Sequence, residues 1–417
     1  MALFGARKER QLRGESYIAL DLGTETIKCL VFENHEATCH ILGKGRASHR
    51  AGTMRGGMVI NIPEAVVDVR QAMDTAITQA GISPKKLVMS LSGDLVKSLI
   101  TTVHYHRARP DSRIDTNELK NIIYKAQWKA FEQIRSLMAK EQEVGESGTK
   151  LVNTTVVDTR IDGYKVTNPI NFQGNVITLS IFNTFAPLVH LGAAQALADE
   201  LALDLVSVAA SPYALTKSLL VNNPEFSAIF IDVGAHLTDV AVVSEGGIFG
   251  MQNFALGSNA FSKNLATGFK ITPQQADQIK FDYSADMLDK KSTTKISNIL
   301  KDTTKLWVQG VAEALDEFSH LETLPNKIFI AGGGATLPEI KKILLSKSWA
   351  EHLPFVKKPL PAVIEVTDVP NIVLTNQVKI DLSDMVAIGL AHLTLDASTQ
   401  DDTVANILHR IVLNMQN

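Results

Sequence analysis

Hydrophobic and polar positions repeat one unusual arrangement at two places in this chain. Residues 17–32 read Y-I-A-L-D-L-G-T-E-T-I-K-C-L-V-F, and residues 229–243 read I-F-I-D-V-G-A-H-L-T-D-V-A-V-V. Each is an apolar run that ends in Asp and Gly, turns through small polar residues, and resumes as a second apolar run. That pattern predicts a tight β-hairpin with a carboxylate at its base and backbone N–H groups at its tip. Two copies so far apart predict two similar halves facing one another. Such tips can grip a polyphosphate from both sides, with Asp21 and Asp232 placed to hold Mg²⁺ through water.

The remaining periodicities supply the frame. Residues 327–340 read K-I-F-I-A-G-G-G-A-T-L-P-E-I, a buried strand, then Gly332, Gly333 and Gly334, then a helix start with Pro338 in its first turn. Glycines there let the backbone approach a flat ligand where a Cβ would clash. Ala65, Val66, Val69, Met73 and Ile77 fall at helical spacing, as do Leu119, Ile122, Ile123, Ala126, Phe131 and Ile134 between Asp115 and Gln142. Residues 85–98 read as strand and turn. Further on, Asp162-Gly163 forms a hairpin turn, and Asn168-Pro169 breaks the chain before another strand. Residues 271–283 form a helix with Pro273 in its first turn. After residue 395 comes a short polar linker, and then Val404, Ile407, Leu408, Ile411, Val412 and Met415 make one apolar stripe, with Asn406, His409, Arg410 and Asn414 off it.

Composition narrows the function classes. With 417 residues and 45% hydrophobic content, the chain has enough apolar material for two cores. A net charge of −3 gives no global basic field for nucleic acid. Cys29 and Cys39 fit neither a metal site nor a disulfide framework, which implies a reducing compartment. No apolar stretch reaches membrane-spanning length, and the basic start, M-A-L-F-G-A-R-K-E-R, lacks the apolar core of a signal peptide and reads as a disordered tail.

The two Asp-Gly hairpins and the glycine turn, in this order, resemble the phosphate 1, phosphate 2 and adenosine motifs of the actin/Hsp70/sugar-kinase ATPase superfamily. The alternative is three unrelated strand-turn elements of an α/β protein. Within the superfamily, residues 48–62 with the helix that follows, and the D-G-Y…N-P…G pattern after residue 161, look like FtsA, the bacterial cell-division actin homologue. The resemblance covers roughly residues 16–395.

It implies an α/β, actin-like ATPase fold: two facing RNase H-like halves around a nucleotide cleft, with a small inserted α+β subdomain of the 1C/SHS2 type. The expected boundaries are an N-terminal tail at 1–14, subdomain 1A at 15–86, the inserted 1C at 87–186 and a return to 1A at 187–225. Subdomain 2A follows at 226–260, 2B at 261–325 and 2A again at 326–382. A closing helix at 383–395, a linker at 396–403 and an amphipathic helix at 404–417 complete the chain.

The resemblance also assigns roles. ATP or ADP with Mg²⁺ would bind at Asp21, Gly23, Thr24, Lys28, Asp232, Gly234, Asp277, Lys280, Gly332, Gly333 and Gly334. Lys28 can equally be a solvated lysine at a strand end, and Asp277 with Lys280 an exposed pair one helical turn apart. Asp239 is read as a brace of the second hairpin. The second hairpin departs from the family's D-I-G-G-G-T-T-D: Ala235 and His236 replace glycines and Leu237 a hydroxyl residue, which restricts the backbone and narrows the approach to the γ-phosphate. No acid lies in residues 207–213, where filament-forming relatives such as MreB place a water-orienting glutamate, so hydrolysis is expected to be slow or absent.

By this resemblance the protein forms head-to-tail filaments and lies on the cytoplasmic face of the inner membrane at the division site through its terminal apolar stripe. There it anchors FtsZ and meets other division proteins. The stripe can instead dock on the protein body or on a partner. The rival family is PilM, a cytoplasmic actin-fold platform of type IV pilus assembly.

Overall fold

A computed structural model describes residues 14–396, apart from 51, 142–147, 221–224, 319–320, 347 and 376. The expected N-terminal tail, and the amphipathic helix at 404–417 with nearly all of its linker, lie outside the described residues. The first lobe opens with β1 (Glu15–Leu22), β2 (Thr26–His35) and β3 (Thr38–Ser48), an antiparallel meander in which Leu22 pairs with Ile27 across the first tip. A small ribbon of β4 (Met54–Arg55) and β5 (Met58–Val59) leads to helix α1 (Ile62–Ala80), and β6 (Lys86–Leu91) then runs parallel to β1.

Helix α1 begins where the Asn61 side chain accepts the Glu64 N–H and ends at Gly81 in the left-handed region. Its buried face is Ala65, Val66, Val69, Ala72, Met73 and Ala76. Gly43 and Gly45 on β3 admit that face, since a Cβ at either would lie 2.1 Å from Ala76 O or 1.8 Å from Ala72 O.

The inserted module is β7 (Lys97–His106), α2 (Thr116–Glu141), β8 (Thr149–Ile161), β9 (Tyr164–Lys165) and β10 (Val176–Pro187), a four-stranded antiparallel sheet in the order β7-β10-β8-β9. Leu119, Ile122, Ile123, Ala126 and Ile134 of α2 are buried against it, and Asp162-Gly163 makes the β8–β9 turn with both φ angles positive. The module starts later than residue 87. Strand β6, expected at its beginning, belongs to the first sheet because Leu87, Val88 and Met89 are buried there beside β1. The chain returns through α3 (Leu188–Glu200), β11 (Asp204–Ala210, parallel to β6) and α4 (Ser211–Lys217).

The second lobe carries β12 (Ala228–Val233), β13 (Thr238–Ser244) and β14 (Gly247–Phe254), then α5 (Ser258–Phe269), α6 (Pro273–Ser284) and α7 (Lys290–Asp316). Strand β15 (Lys327–Ala331), α8 (Pro338–Leu344) and β16 (Leu360–Val363) complete it. Strand β17 (Ile372–Leu374), expected with this lobe, crosses back to pair parallel with β3, and α9 (Met385–Asp396) packs on the first lobe. The sheets run β11-β6-β1-β2-β3-β17 and β14-β13-β12-β15-β16. Apart from β17, each is an antiparallel three-strand meander whose first strand continues into two parallel strands. The two halves are thus the same topology twice.

Candidate functional site

The cleft between the lobes forms where the three turns converge. Asp21 is the penultimate residue of β1 and only 3% exposed. Ser90 on the neighbouring β6 donates to its Oδ1 at 2.8 Å and accepts the Leu22 N–H at 3.1 Å, while Lys28 reaches its Oδ2 at 2.9 Å. Burial works against the charge on Lys28, but Asp21, with Asp232 behind it, more than offsets this, and the ammonium is held above its usual pKa. His49 braces the tip from behind, with Nε2 3.1 Å from Gly23 O.

Across the cleft Asp232 sits at the corresponding place on β12. It opens onto the cleft and is enclosed by protein elsewhere. Burial pushes its pKa up to about 6, with Lys28 pulling down and Asp21 pushing up. Asp239 on β13 is 8% exposed, and its Oδ1 has no hydrogen-bond partner. Burial first, then Asp232, Asp94 and Asp21, hold this carboxyl well above the usual carboxylate range. Behind the tip, Trp307 Nε1 donates to Thr238 Oγ1 at 3.0 Å, and Thr238 donates to Leu256 O at 2.7 Å.

The glycine turn closes the third side. Gly332 has φ +85, and a Cβ there would lie 2.2 Å from Asp232 Oδ1 and 2.5 Å from Val233 O. Its N–H donates to Leu382 O at 3.1 Å, tying the turn to the segment that leads into α9. On α6, Asp277 pairs with Lys280 at 3.1 Å and accepts from Ser262 Oγ at 2.5 Å. The pair one turn apart therefore exists, and it also faces the cleft.

Asp21, Gly23, Thr24, Lys28, Asp232, Gly234, Asp277, Lys280, Gly332, Gly333 and Gly334 all line one cleft of about 660 Å³. Sequence reasoning missed Arg46, Ser92, Ser211, Phe281 and Asp381, which line it too, and gave Asp239 only a bracing role. Arg46 could be found only from the register that sets it opposite Lys28; it bonds Asp381 at 3.2 Å and also reaches the fully buried Asp384. None of Ala235, His236 and Leu237 has a positive φ, so the second tip accommodates these side chains without left-handed strain. Among the described residues no three His, Cys, Asp or Glu side chains are grouped to hold a metal directly. A cleft-lining aspartate, Asp239, with a buried and unpartnered carboxylate oxygen, beside a glycine cradle that a Cβ at Gly332 would fill, does fit a hydrated cation on a flat-faced polyphosphate ligand.

Two lobes of one topology, with hairpin tips meeting over an acidic cleft, define the actin-like ATPase fold. A chain of the PilM–PilN type IV pilus biogenesis complex superposes with a TM-score of 0.65 at 13% identity, covering 92% of this chain and 99% of that one. The ethanolamine utilization protein EutJ from Carboxydothermus hydrogenoformans gives 0.50 at 15% identity, over 92% and 91% of the two chains. The family model described as "Cell division protein FtsA" matches residues 229–349, the second hairpin through the glycine turn and α8. Cell division protein FtsA of Streptococcus pneumoniae is 22% identical over 342 residues, 77% of this chain and 71% of that protein. FtsA of Enterococcus faecalis is 23% identical over 349 residues, 78% and 74% of the two. The chain has the actin-like fold and is similar in sequence to cell division protein FtsA.

Proposed function

We propose that this chain is an FtsA-like cell division protein whose cleft binds ATP or ADP with Mg²⁺. The observation that carries the reading is the meeting of two acid-based hairpin tips and a φ-positive glycine turn around one cleft, the second tip and the glycine turn lying inside the segment the FtsA family model matches. Lys28 and the N–H groups of both tips hold phosphates, Asp21 and Asp232 hold the hydrated Mg²⁺, and Asp277 with Lys280 faces the nucleoside. The bound cation neutralises the carboxylates that burial leaves uncomfortable.

Hydrolysis is slow in this reading. The residue that α4 presents to the cleft is Ser211, whose hydroxyl donates to Leu91 O at 3.1 Å and is not free to orient water. The nucleotide then acts mainly as a clasp between lobes. Head-to-tail assembly, recruitment of FtsZ and other division proteins, and attachment to the cytoplasmic membrane through 404–417 follow the FtsA likeness.

The test is liposome co-sedimentation of the full chain and of a chain lacking 402–417, with and without Mg-ATP. Pelleting that needs both the tail and Mg-ATP supports the reading. Pelleting that ignores the tail, together with unchanged localisation of the truncated chain in cells, favours a PilM-like platform. A turnover of many ATP per minute would sink the clasp and direct attention to Asp239 as a base.

A further inference from the structure

The two hairpin tips touch each other. His236 Nδ1 lies 3.1 Å from Thr24 Oγ1, and His236 Nε2 lies 3.4 Å from Asn259 Nδ2, which also donates to Glu25 Oε1. One tautomer satisfies the whole set: Nδ1–H donates to the threonine hydroxyl, and Nε2 accepts from one amide hydrogen while the other goes to the carboxylate. Asn259 is fixed in place at the start of α5, where its backbone N–H donates to Ala235 O at 2.9 Å. Thr24, Glu25 and Ala235 line the cleft, but His236 and Asn259 are not among the lining residues. These two side chains therefore stand outside the ligand space and reach across its rim to the opposite lobe. A glycine at position 236 has no atom that could make this reach.

We propose that His236 and Asn259, with Thr24 and Glu25, form a side-chain bridge over the phosphate end of the cleft that must open for nucleotide to enter or leave. This rests on the nucleotide reading and adds to it two residues, His236 and Asn259, that fix residence time from outside the ligand space. All four side chains are polar and the bridge is exposed to water, so its hydrogen bonds exchange readily with solvent and each is individually weak. It works as a gate rather than as a permanent clamp. A gate present in both free and bound states raises association and dissociation rates together when it is cut, whereas loss of a ligand contact shows mainly in dissociation.

The experiment is stopped-flow binding of N-methylanthraniloyl ATP with Mg²⁺ to the full chain, comparing wild type, His236→Gly, Asn259→Ala and the double variant. Each single change is expected to raise both rate constants about three- to tenfold, as fits one or two exposed hydrogen bonds, with Kd nearly constant. The double variant should fall short of the product of the singles, since the two residues share one network. Unchanged rates in both singles would overturn the bridge. So would a loss of affinity carried by dissociation alone, because it would make His236 a ligand contact. A wild type that binds no nucleotide refutes the nucleotide reading and the bridge with it, so the two failures are told apart.

Discussion

The two hairpin tips have one backbone plan and opposite electrostatics. On the first, Asp21 is enclosed by protein and answered in full: Ser90 on one oxygen, Lys28 on the other. On the second, Asp232 is raised to about 6 and Asp239 keeps an oxygen without a partner, and both sense Asp21 as a further repulsive charge. Lys28 is thus bonded to the first tip and acts on the second only at longer range. Duplicated topology fixes where carboxylates sit but not how they are satisfied; the second tip is finished by something the chain does not carry. A proton can do this, and so can the hydrated cation of the proposed reading.

The largest effect should come from removing the cation. Lys28→Met leaves Asp21 buried without its charge partner, which costs about 3–5 kcal/mol in stability, read by chemical denaturation of the nucleotide-free protein. A loss under 1 kcal/mol would mean that Lys28 does little for Asp21, and the contrast between tips would collapse. Next comes the glycine turn. Gly332→Ala puts a Cβ against the Asp232 carboxylate and Val233 O at a positive φ and should cost about 2–4 kcal/mol. Gly23→Ala on the first tip meets Thr26 O at 2.8 Å and the movable end of Lys28 at 2.9 Å, without a positive φ, and should cost clearly less. Equal losses would show that the third turn is not what confines the second tip.

The second tip predicts a gain. A carboxyl whose folded pKa is raised binds protons more tightly folded than unfolded, so its contribution to stability is lost as pH climbs from about 4 towards 6. Asp232→Asn removes the ionisation. Nucleotide-free Asp232→Asn should therefore be more stable than wild type by about 2–3 kcal/mol at pH 7.5, with the difference vanishing near pH 4. Urea midpoints across that range decide it. A variant less stable at pH 7.5, or a difference independent of pH, contradicts the reading of Asp232 as an unanswered charge. The same variant should lose Mg-dependent nucleotide binding.

What the sequence could and could not convey follows from the range of each signal. The hairpins, the glycine turn, α1 and α2 were legible because apolar periodicity and turn residues act within a few positions, as Asn61 and Gly81 do at the ends of α1. Strands β6 and β17 went to the wrong unit because sheet membership is settled by partners far along the chain: β1 for the former, β3 for the latter. Arg46 and Asp381 were invisible for the same reason, since they meet only when β17 and the segment before α9 return to the first lobe. At 235–237 the sequence shows a Cβ where the family has glycine, but not that the turn accepts it without a positive φ or that the histidine side chain reaches the opposite tip.

The smallest effect probes how the first tip shares its load. Ser90→Ala removes the donor to Asp21 Oδ1 and the acceptor of the Leu22 N–H together, two buried hydrogen bonds worth about 1–2 kcal/mol in all. Because Lys28 still answers Oδ2, the charge stays compensated and the protein remains folded. In Lys28→Met the serine becomes the only side chain bonded to Asp21 among those described, so adding Ser90→Ala there should cost more than it does in wild type. A double-mutant cycle by denaturant unfolding measures the difference, and a coupling of about 1 kcal/mol is expected for groups sharing one carboxylate. Strict additivity would mean that serine and lysine act on Asp21 independently, and that the first tip is no better organised around its charge than the second.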